Sequence, residues 1–258
     1  MKILEYHQFA PHIRAFSTER GIDDTAAYTE PYLGFNINPY CGDSASHIAS
    51  CRAELAQLIG VPSNDILLPH QVHGVTVANL DNGDTTESTD ALMTTRSRLC
   101  IGVSTADCIP VLMHDVRHNA VCAVHSGWRG TVARVTAAAI EAMHKAYGTE
   151  CSDLVAVIGP GIRMEAFEVG DEVYEAFAQA DFNISRIARK FPAMNGDGEK
   201  WHIDLIEAVK SDLQGVAALH DCGICTYATP TRFFSARRLS VNSGRIYNAI
   251  MIEDIGGQ

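Results

Sequence analysis

Three side chains, far apart in the chain, could share one metal ion. His73 closes the run HQVH just before Gly74. Cys108 lies in ADCIP, just after a strand-like run and two residues before Pro110. His125 ends another strand-like run, two residues before Gly127. Each sits at a break in the chain, where side chains from separate segments can converge. Two neutral imidazoles and a thiolate suit zinc, and three protein ligands leave the fourth position that catalytic zinc keeps for water. Zinc brings the pKa of that water down to about 7, giving a hydroxide nucleophile near neutral pH. Spacing alone fits a blander arrangement at least as well, a buried cysteine and two hydrogen-bonded histidines, because no compact zinc motif is present. Cys108 could also serve as a thiol nucleophile with His125 or His73 as its base.

The elements that must position these residues can be read from periodicity. Ile3 to Tyr6 and Ile13 to Phe16 read as short strands, and Ser17 to Asp43 as a long loop. Ser44 to Ile59 has Ile48, Cys51, Leu55, Leu58 and Ile59 at helical spacing and ends at Gly60-Val61-Pro62. Val75 to Leu80 reads as a strand and Asp81 to Asp90 as a polar turn. Leu99 to Ser104, Val111 to His114 and Ala120 to Val124 are apolar runs that suit a sheet covered on both faces. After Gly127 the period changes, with Val132, Val135, Ala139 and Met143 on one helical face and Gly148 as the stop. Leu154 to Ile158 reads as a buried strand ending in the turn Gly159-Pro160-Gly161. Val169 to Ala180 and Ile203 to Leu213 read as helices, Phe191 to Lys200 as a loop, and Phe233-Phe234 and Ile246 to Ile252 as closing strands. No repeat or linker splits the chain, so residues 1–258 form one α/β or α+β domain with mixed strands.

Composition narrows the function. With 20 Lys+Arg against 31 Asp+Glu, the net charge of −11 disfavours nucleic acid, whose phosphates an acidic surface repels. The opening residues MKILEYHQFA carry no apolar stretch of secretory length, and no run approaches a membrane span. A cytoplasmic protein is expected, its eight scattered cysteines serving as ligands or small hydrophobes rather than disulfides.

Five motifs, taken together and in order, are more specific. QVHG at Gln71 to Gly74, TADCIP at Thr105 to Pro110, HSGWRG at His125 to Gly130, IGPGI at Ile158 to Ile162 and FFSARR at Phe233 to Arg238 resemble the YfiH family. Its members are labelled laccase-domain or polyphenol-oxidase-like proteins. The resemblance runs from the loop before Phe35-Asn36-Ile37-Asn38 to Arg245. It implies an α/β/β/α sandwich with mixed sheets, and zinc held by His73, Cys108 and His125. It also implies phosphorolysis of purine nucleosides or methylthioadenosine, with adenosine deamination alongside. Two positions depart from the family pattern. Arg163 to Val169 stands where a cysteine-containing stretch is common, and Ser243 replaces a usual threonine; both bear on substrate preference.

That chemistry assigns further candidates. Deamination needs an activated water and a proton shuttle; Asp107, beside Cys108, could be the shuttle or could orient a ligand histidine. Adjacent residues on an extended chain point opposite ways, so Asp107 could equally be structural. Phosphorolysis needs a phosphate site, and Arg129 at a predicted helix start offers a guanidinium beside backbone N–H groups. Arg237, with Arg238, is a second anion candidate. Gln71 could read a base edge or hold His73. His70, His114, His118 and the Cys222/Cys225 pair read as incidental, with His114 and His118 exposed at a turn.

Three rivals stand beside the zinc-dependent purine nucleoside enzyme: a copper polyphenol oxidoreductase, a cysteine hydrolase and a non-enzymatic zinc protein. The first is disfavoured because the chain has no His-x-His pair and no Cys-His dipeptide to link copper centres, although a single copper could occupy a His₂Cys site.

Overall fold

A computed structural model describes residues 3–22 and 27–254. Residues 23–26 of the loop expected over 17–43 therefore lie outside the described part. Two mixed sheets stack face to face. The first has the order β1 (Leu4–His7), β2 (Ile13–Thr18), β14 (Ile246–Ile252), β6 (Cys100–Thr105) and β3 (Ile66–Leu67). The second has the order β13 (Ala218–Asp221), β9 (Leu154–Ile158), β7 (Ile109–Asp115), β8 (Ala120–Ser126), β5 (Ala91–Thr94) and β4 (Val77–Asn79). The β3–β6, β4–β5 and β9–β13 pairs are parallel; the others are antiparallel.

Strand parity explains the layering. Successive side chains on a strand point to opposite faces, so a two-sided apolar run supplies two cores at once. Ile101 and Val103 of β6, Leu112 of β7, Val121 and Ala123 of β8, and Ile250 and Ile252 of β14 fill the layer between the sheets. Their neighbours point away. Cys100, Tyr247, Ala249 and Met251 face α1 (Ala45–Ile59), whose Cys51, Leu55 and Ile59 complete the outer layer. Ile109, Val111, Met113, Cys122 and Val124 face α3 (Val135–Tyr147) and α6 (Leu205–Asp212) on the far side. The order is therefore helix, sheet, sheet, helices, an α+β sandwich with mixed sheets. Each fully buried aliphatic residue in these layers contributes about 1.5–3 kcal/mol. α1 is delimited as its sequence dictates: Ser44 Oγ accepts from His47 N–H, and Gly60 turns left-handed at φ 71° to close on Ala56 O.

Several elements differ from the sequence reading. The helix expected after Gly127 is two, α2 (Trp128–Val132) and α3, because Arg134 takes a left-handed φ of 64° between them. The helices around 169–180 and 203–213 are shorter, α4 (Asp171–Gln179) and α6; a single turn, α5 (Ile184–Ile187), lies between them. The loop read over Phe191 to Lys200 is mostly a hairpin tip. It joins β11 (Ala188–Pro192) to β12 (Glu199–Ile203), and β10 (Glu168–Val169) adds a third strand. Phe233-Phe234 is not a strand. Both rings are buried in a small cluster with Ala106 and Ile246, just before α7 (Ala236–Leu239). His114 is not exposed: β7 runs on to Asp115 and buries the imidazole, which meets His12 edge-on at 5.4 Å. Among the described residues no helix is long and apolar enough to cross a membrane.

Candidate metal centre

His125 is brought to the centre by β8. It shares the parity of Val121 and Ala123, so its ring leaves the strand on the inter-sheet side, at the end of the layer. Cys108 sits in the link between β6 and β7, where Asp107 takes a positive φ of 92° and turns the chain sharply. The Gly159-Pro160-Gly161 turn presses on this link from behind. Ile162 N–H donates to Asp107 O at 2.8 Å, and a Cβ at Gly161 would lie 2.5 Å from Ile109 Cδ1 and 3.4 Å from Cys108 O. His73 comes from the turn before β4 and is itself left-handed, at φ 60°. A histidine held there is strained, and such strain persists only where surrounding contacts over-determine it.

Those contacts come from Asp90, the last residue of the stretch that composition reads as a polar turn. Asp90 is fully buried. Its carboxylate accepts three consecutive amides, from Val72 at 3.3 Å, His73 at 3.0 Å and Gly74 at 2.7 Å. The same carboxylate lies 2.8 Å from His125 Nδ1. His125 N–H also donates to Asp90 O at 2.7 Å, continuing the β5–β8 ladder by one residue. One side chain thus fixes two of the three candidate ligands, and by taking the Nδ1–H of His125 it leaves Nε2 to face an ion. The available signal was positional: Asp90 abuts the apolar run Ala91-Leu92-Met93, which pairs with β8.

The three ligand atoms all lie within 4.8 Å of one another. Cys108 Sγ is 4.0 Å from His73 Nε2, and the two imidazoles meet edge-on at 4.8 Å between centroids. Tetrahedral zinc would set such ligand edges at about 3.5 Å, a small contraction. Gly127 leaves the room required, since a Cβ there would be 2.7 Å from His73 Cδ2 and 3.1 Å from Cys108 Sγ. Burial pushes the Cys108 thiol up, but His125 and His73 outweigh it and bring the thiol down to about 6. Burial pulls His125 down, while Cys108 and Asp90 raise it to about 9. Burial also opposes ionisation of Asp90, yet His125 and the amides of Gly74 and Val72 keep it below the usual carboxylate range. Both shifts favour an ionised thiol paired with a charged imidazole, a donor set that a divalent cation can take over by displacing the proton. The chemistry of the set fits zinc.

The other candidates have different neighbours. Asp107 is turned onto Thr226 Oγ1 at 2.7 Å and the backbone N–H of Arg237 at 2.7 Å, so its carboxylate braces the Arg237 turn. Gln71 spends its amide on Ser104: Nε2 donates to Ser104 O at 2.8 Å and Oε1 accepts Ser104 N–H at 2.7 Å. That ties the His73 turn to β6. Arg129 is exposed, its guanidinium 4.2 Å above the Trp128 ring. Arg237 reaches Glu168 O with one Nη and lies over Phe167. Arg238 donates to Tyr227 O. Cys222 and Cys225 are free thiols.

The triad opens into a cavity of about 310 Å³, whose wall includes Asn38, Tyr40, His70, Gln71, Ser104 and Arg245. A second hollow of about 420 Å³ shares Ala106, Ala236 and Val241 with it and carries Trp128, Glu168 and Arg237. The two hollows adjoin across those three residues, with the candidate metal centre in the first. Arg245, which no sequence motif marks as a site residue, donates to Val241, Ser243 and Gly244 carbonyls and so braces the loop on the rim of both hollows.

Similarity to known proteins covers this whole framework. Residues 14–253 match the family described as multi-copper polyphenol oxidoreductase laccase. An adenosine deaminase from an unknown prokaryotic organism is 38% identical over 262 residues, covering 96% of this chain and 97% of that protein. A purine nucleoside phosphorylase from Bacteroides thetaiotaomicron is 37% identical over 235 residues, 86% of each chain. In three dimensions the chain is similar to the YfiH protein of Bacillus licheniformis. The TM-score is 0.87 at 22% identity, over 98% of this chain and 97% of that one. It is similar as well to a protein of Neisseria meningitidis, with a TM-score of 0.81 at 26% identity over 98% and 100% of the two chains.

Proposed function

The chain belongs to the YfiH family, described as multi-copper polyphenol oxidoreductase laccase, and on that footing we propose that it is a zinc-dependent purine nucleoside phosphorylase that also deaminates adenosine. The observation that carries this reading is the convergence of His73, Cys108 and His125 in a nucleoside-sized cavity, organised by Asp90. Relatives named purine nucleoside phosphorylase and adenosine deaminase support an enzyme that processes purine nucleosides.

When bound by His73, Cys108 and His125, zinc supplies a Lewis acid and acidifies a water. The chain's own residues do the rest. The lowered Cys108 thiol gives up its proton readily, and Asp90 takes the Nδ1–H of His125, so that the Nε2 proton is the one an ion displaces. Phosphorolysis forms a bond from a phosphate oxygen to C1′ of the ribose and breaks the C1′–N9 bond. The electron pair leaves with the purine, which takes up a proton. The phosphate needs a cation, and Arg237 in the adjoining hollow is the first candidate. Arg129, stacked on the Trp128 that lines the same hollow, is the second. Asp107 acts through Arg237 by fixing its backbone, and Gln71 acts through Ser104 by fixing the His73 turn. The eight free cysteines fit a reducing compartment, and we place the protein in the cytoplasm.

Copper chemistry of the laccase type calls for several linked histidine-rich centres. Among the described residues, the second group that could hold an ion is Asp115, His118 and Asp153. Its Asp115 is already occupied by Thr149, His118 and two amides. A lone His₂Cys site therefore favours zinc hydrolytic and phosphorolytic chemistry.

The test uses inosine and adenosine with and without phosphate. Hypoxanthine release from inosine should require phosphate, and adenosine should yield inosine in its absence. Arg237→Ala should raise the KM for phosphate roughly tenfold or more and spare deamination, as loss of a charge-assisted contact to phosphate alone would. Base release independent of phosphate, or equal loss of both reactions in Arg237→Ala and Arg129→Ala, would sink the phosphate assignment.

A further inference from the structure

The cavity wall beside the triad carries an aromatic pair that none of the metal chemistry uses. Tyr40 and His70 stack with centroids 4.5 Å apart and planes 27° from parallel. Both line the same cavity as His73, Cys108 and His125. Among the described residues Tyr174 and Trp201 also stack, at 4.1 Å, but they lie away from this cavity, whereas Tyr40 is half-exposed on its wall.

The pair is held in place from both sides. Asn38 Oδ1 accepts Tyr40 N–H at 2.6 Å, and Asn38 Nδ2 donates to Ser104 Oγ at 2.6 Å, so the Tyr40 loop is pinned to β6. His70 N–H donates to Thr86 O at 3.0 Å, and its Nδ1 lies 3.2 Å from Glu87 Oε2. The polar side chains nearby are committed elsewhere. Asn38 holds the loop, Gln71 is spent on Ser104, and the Arg245 guanidinium is spent on carbonyls. A flat ligand entering this cavity would therefore find an aromatic face and few free edge-reading groups. Nucleobases stack on such faces whatever their edge pattern.

We infer that Tyr40, backed by His70, is the platform on which the purine base of the substrate stacks, with the scissile or reacting carbon held toward the His73, Cys108 and His125 centre. The inference rests on the purine nucleoside reading above and adds the group that positions the base. Recognition is by stacking, so adenine and hypoxanthine depend on Tyr40 alike.

Equilibrium binding of free adenine, free hypoxanthine and ribose 1-phosphate to the purified zinc-loaded protein tests this directly, with Tyr40→Ala and Tyr40→Phe beside the wild type. Tyr40→Ala should weaken both bases by roughly tenfold, the scale of losing one base-stacking aromatic, and should leave ribose 1-phosphate affinity and zinc content unchanged. Tyr40→Phe keeps the ring and should bind the bases as the wild type does. In turnover, Tyr40→Ala should raise the nucleoside KM by a similar factor and leave kcat nearly unchanged. Three results would each overturn the platform: base affinity unchanged in Tyr40→Ala, Tyr40→Phe failing as badly as Tyr40→Ala, or a wild type that binds neither base. Tyr40-dependent base binding without nucleoside turnover would leave the platform standing and remove the phosphorylase reading. Turnover with a KM indifferent to Tyr40→Ala would do the reverse.

Discussion

Asp90 decides more of the site than any candidate nominated from sequence. It buries one negative charge against three amides and an imidazole, and it links the turn that carries His73 to the strand that carries His125. Asp90→Ala should weaken zinc binding roughly 10- to 100-fold, the usual effect of losing a partner behind a ligand histidine, measured by competition with a chelating dye. Unchanged zinc affinity would show that the triad does not depend on it. Gly127→Ala makes a sharper steric prediction. Its backbone is ordinary, at φ −72°, but its Cβ would meet His73 and Cys108. The variant should fold with about the Tm of the zinc-free wild type and fail to bind zinc; full occupancy would mean the ligands move freely. Cys108→Ala should likewise lose the metal and keep the fold, because the cysteine lies in a link rather than in a core layer. His73, Cys108 and His125 stand out as candidates by type and chain break, but spacing alone fits a metal-free cluster as well, and it is the family resemblance that singles them out as a set. Asp90 does not stand out, because its importance comes from a cross-strand partner 35 residues away in sequence.

At the scale of elements, the four long apolar strands were legible because each is buried on both faces and reads as a continuous run. The short or edge strands were not. Glu199–Ile203 starts with two exposed charged residues, and its hairpin partner is as polar, so composition there resembles a loop. Phe233-Phe234 shows the opposite error, since an apolar pair cannot tell a strand from a buried turn. The edge strand β13 carries a testable ion pair. Arg163 grips Asp221 with both Nη atoms, at 2.8 and 2.5 Å. Burial alone would raise the Asp221 pKa, but Arg163, the Gly223 amide and Lys210 pull it down to about 2. A depressed folded pKa stabilises the protein above the unfolded value and is lost as pH falls toward 2. Asp221→Asn should therefore be less stable than wild type by roughly 1–2 kcal/mol at pH 7, after allowing for solvent screening. Denaturant melts should show that gap closing between about pH 4 and pH 2. A gap constant with pH would deny the ion pair its role.

At the scale of the molecule, the sandwich puts three chain segments at one end of the inter-sheet layer, and the cavity opens where they meet. The α/β/β/α order was expected from a resemblance and is borne out by strand parity and by the fold of its relatives. The family's description speaks of copper and phenols, while named relatives speak of purine nucleosides. The metal itself separates the two most directly. The protein would be stripped with a chelator, reloaded with zinc or with copper(II), and given inosine with phosphate. The account predicts that the stripped protein is inert and that about one zinc per chain restores phosphate-dependent release of hypoxanthine. Full turnover by the stripped protein, or rescue only by copper with oxygen consumed on a phenol, would contradict it.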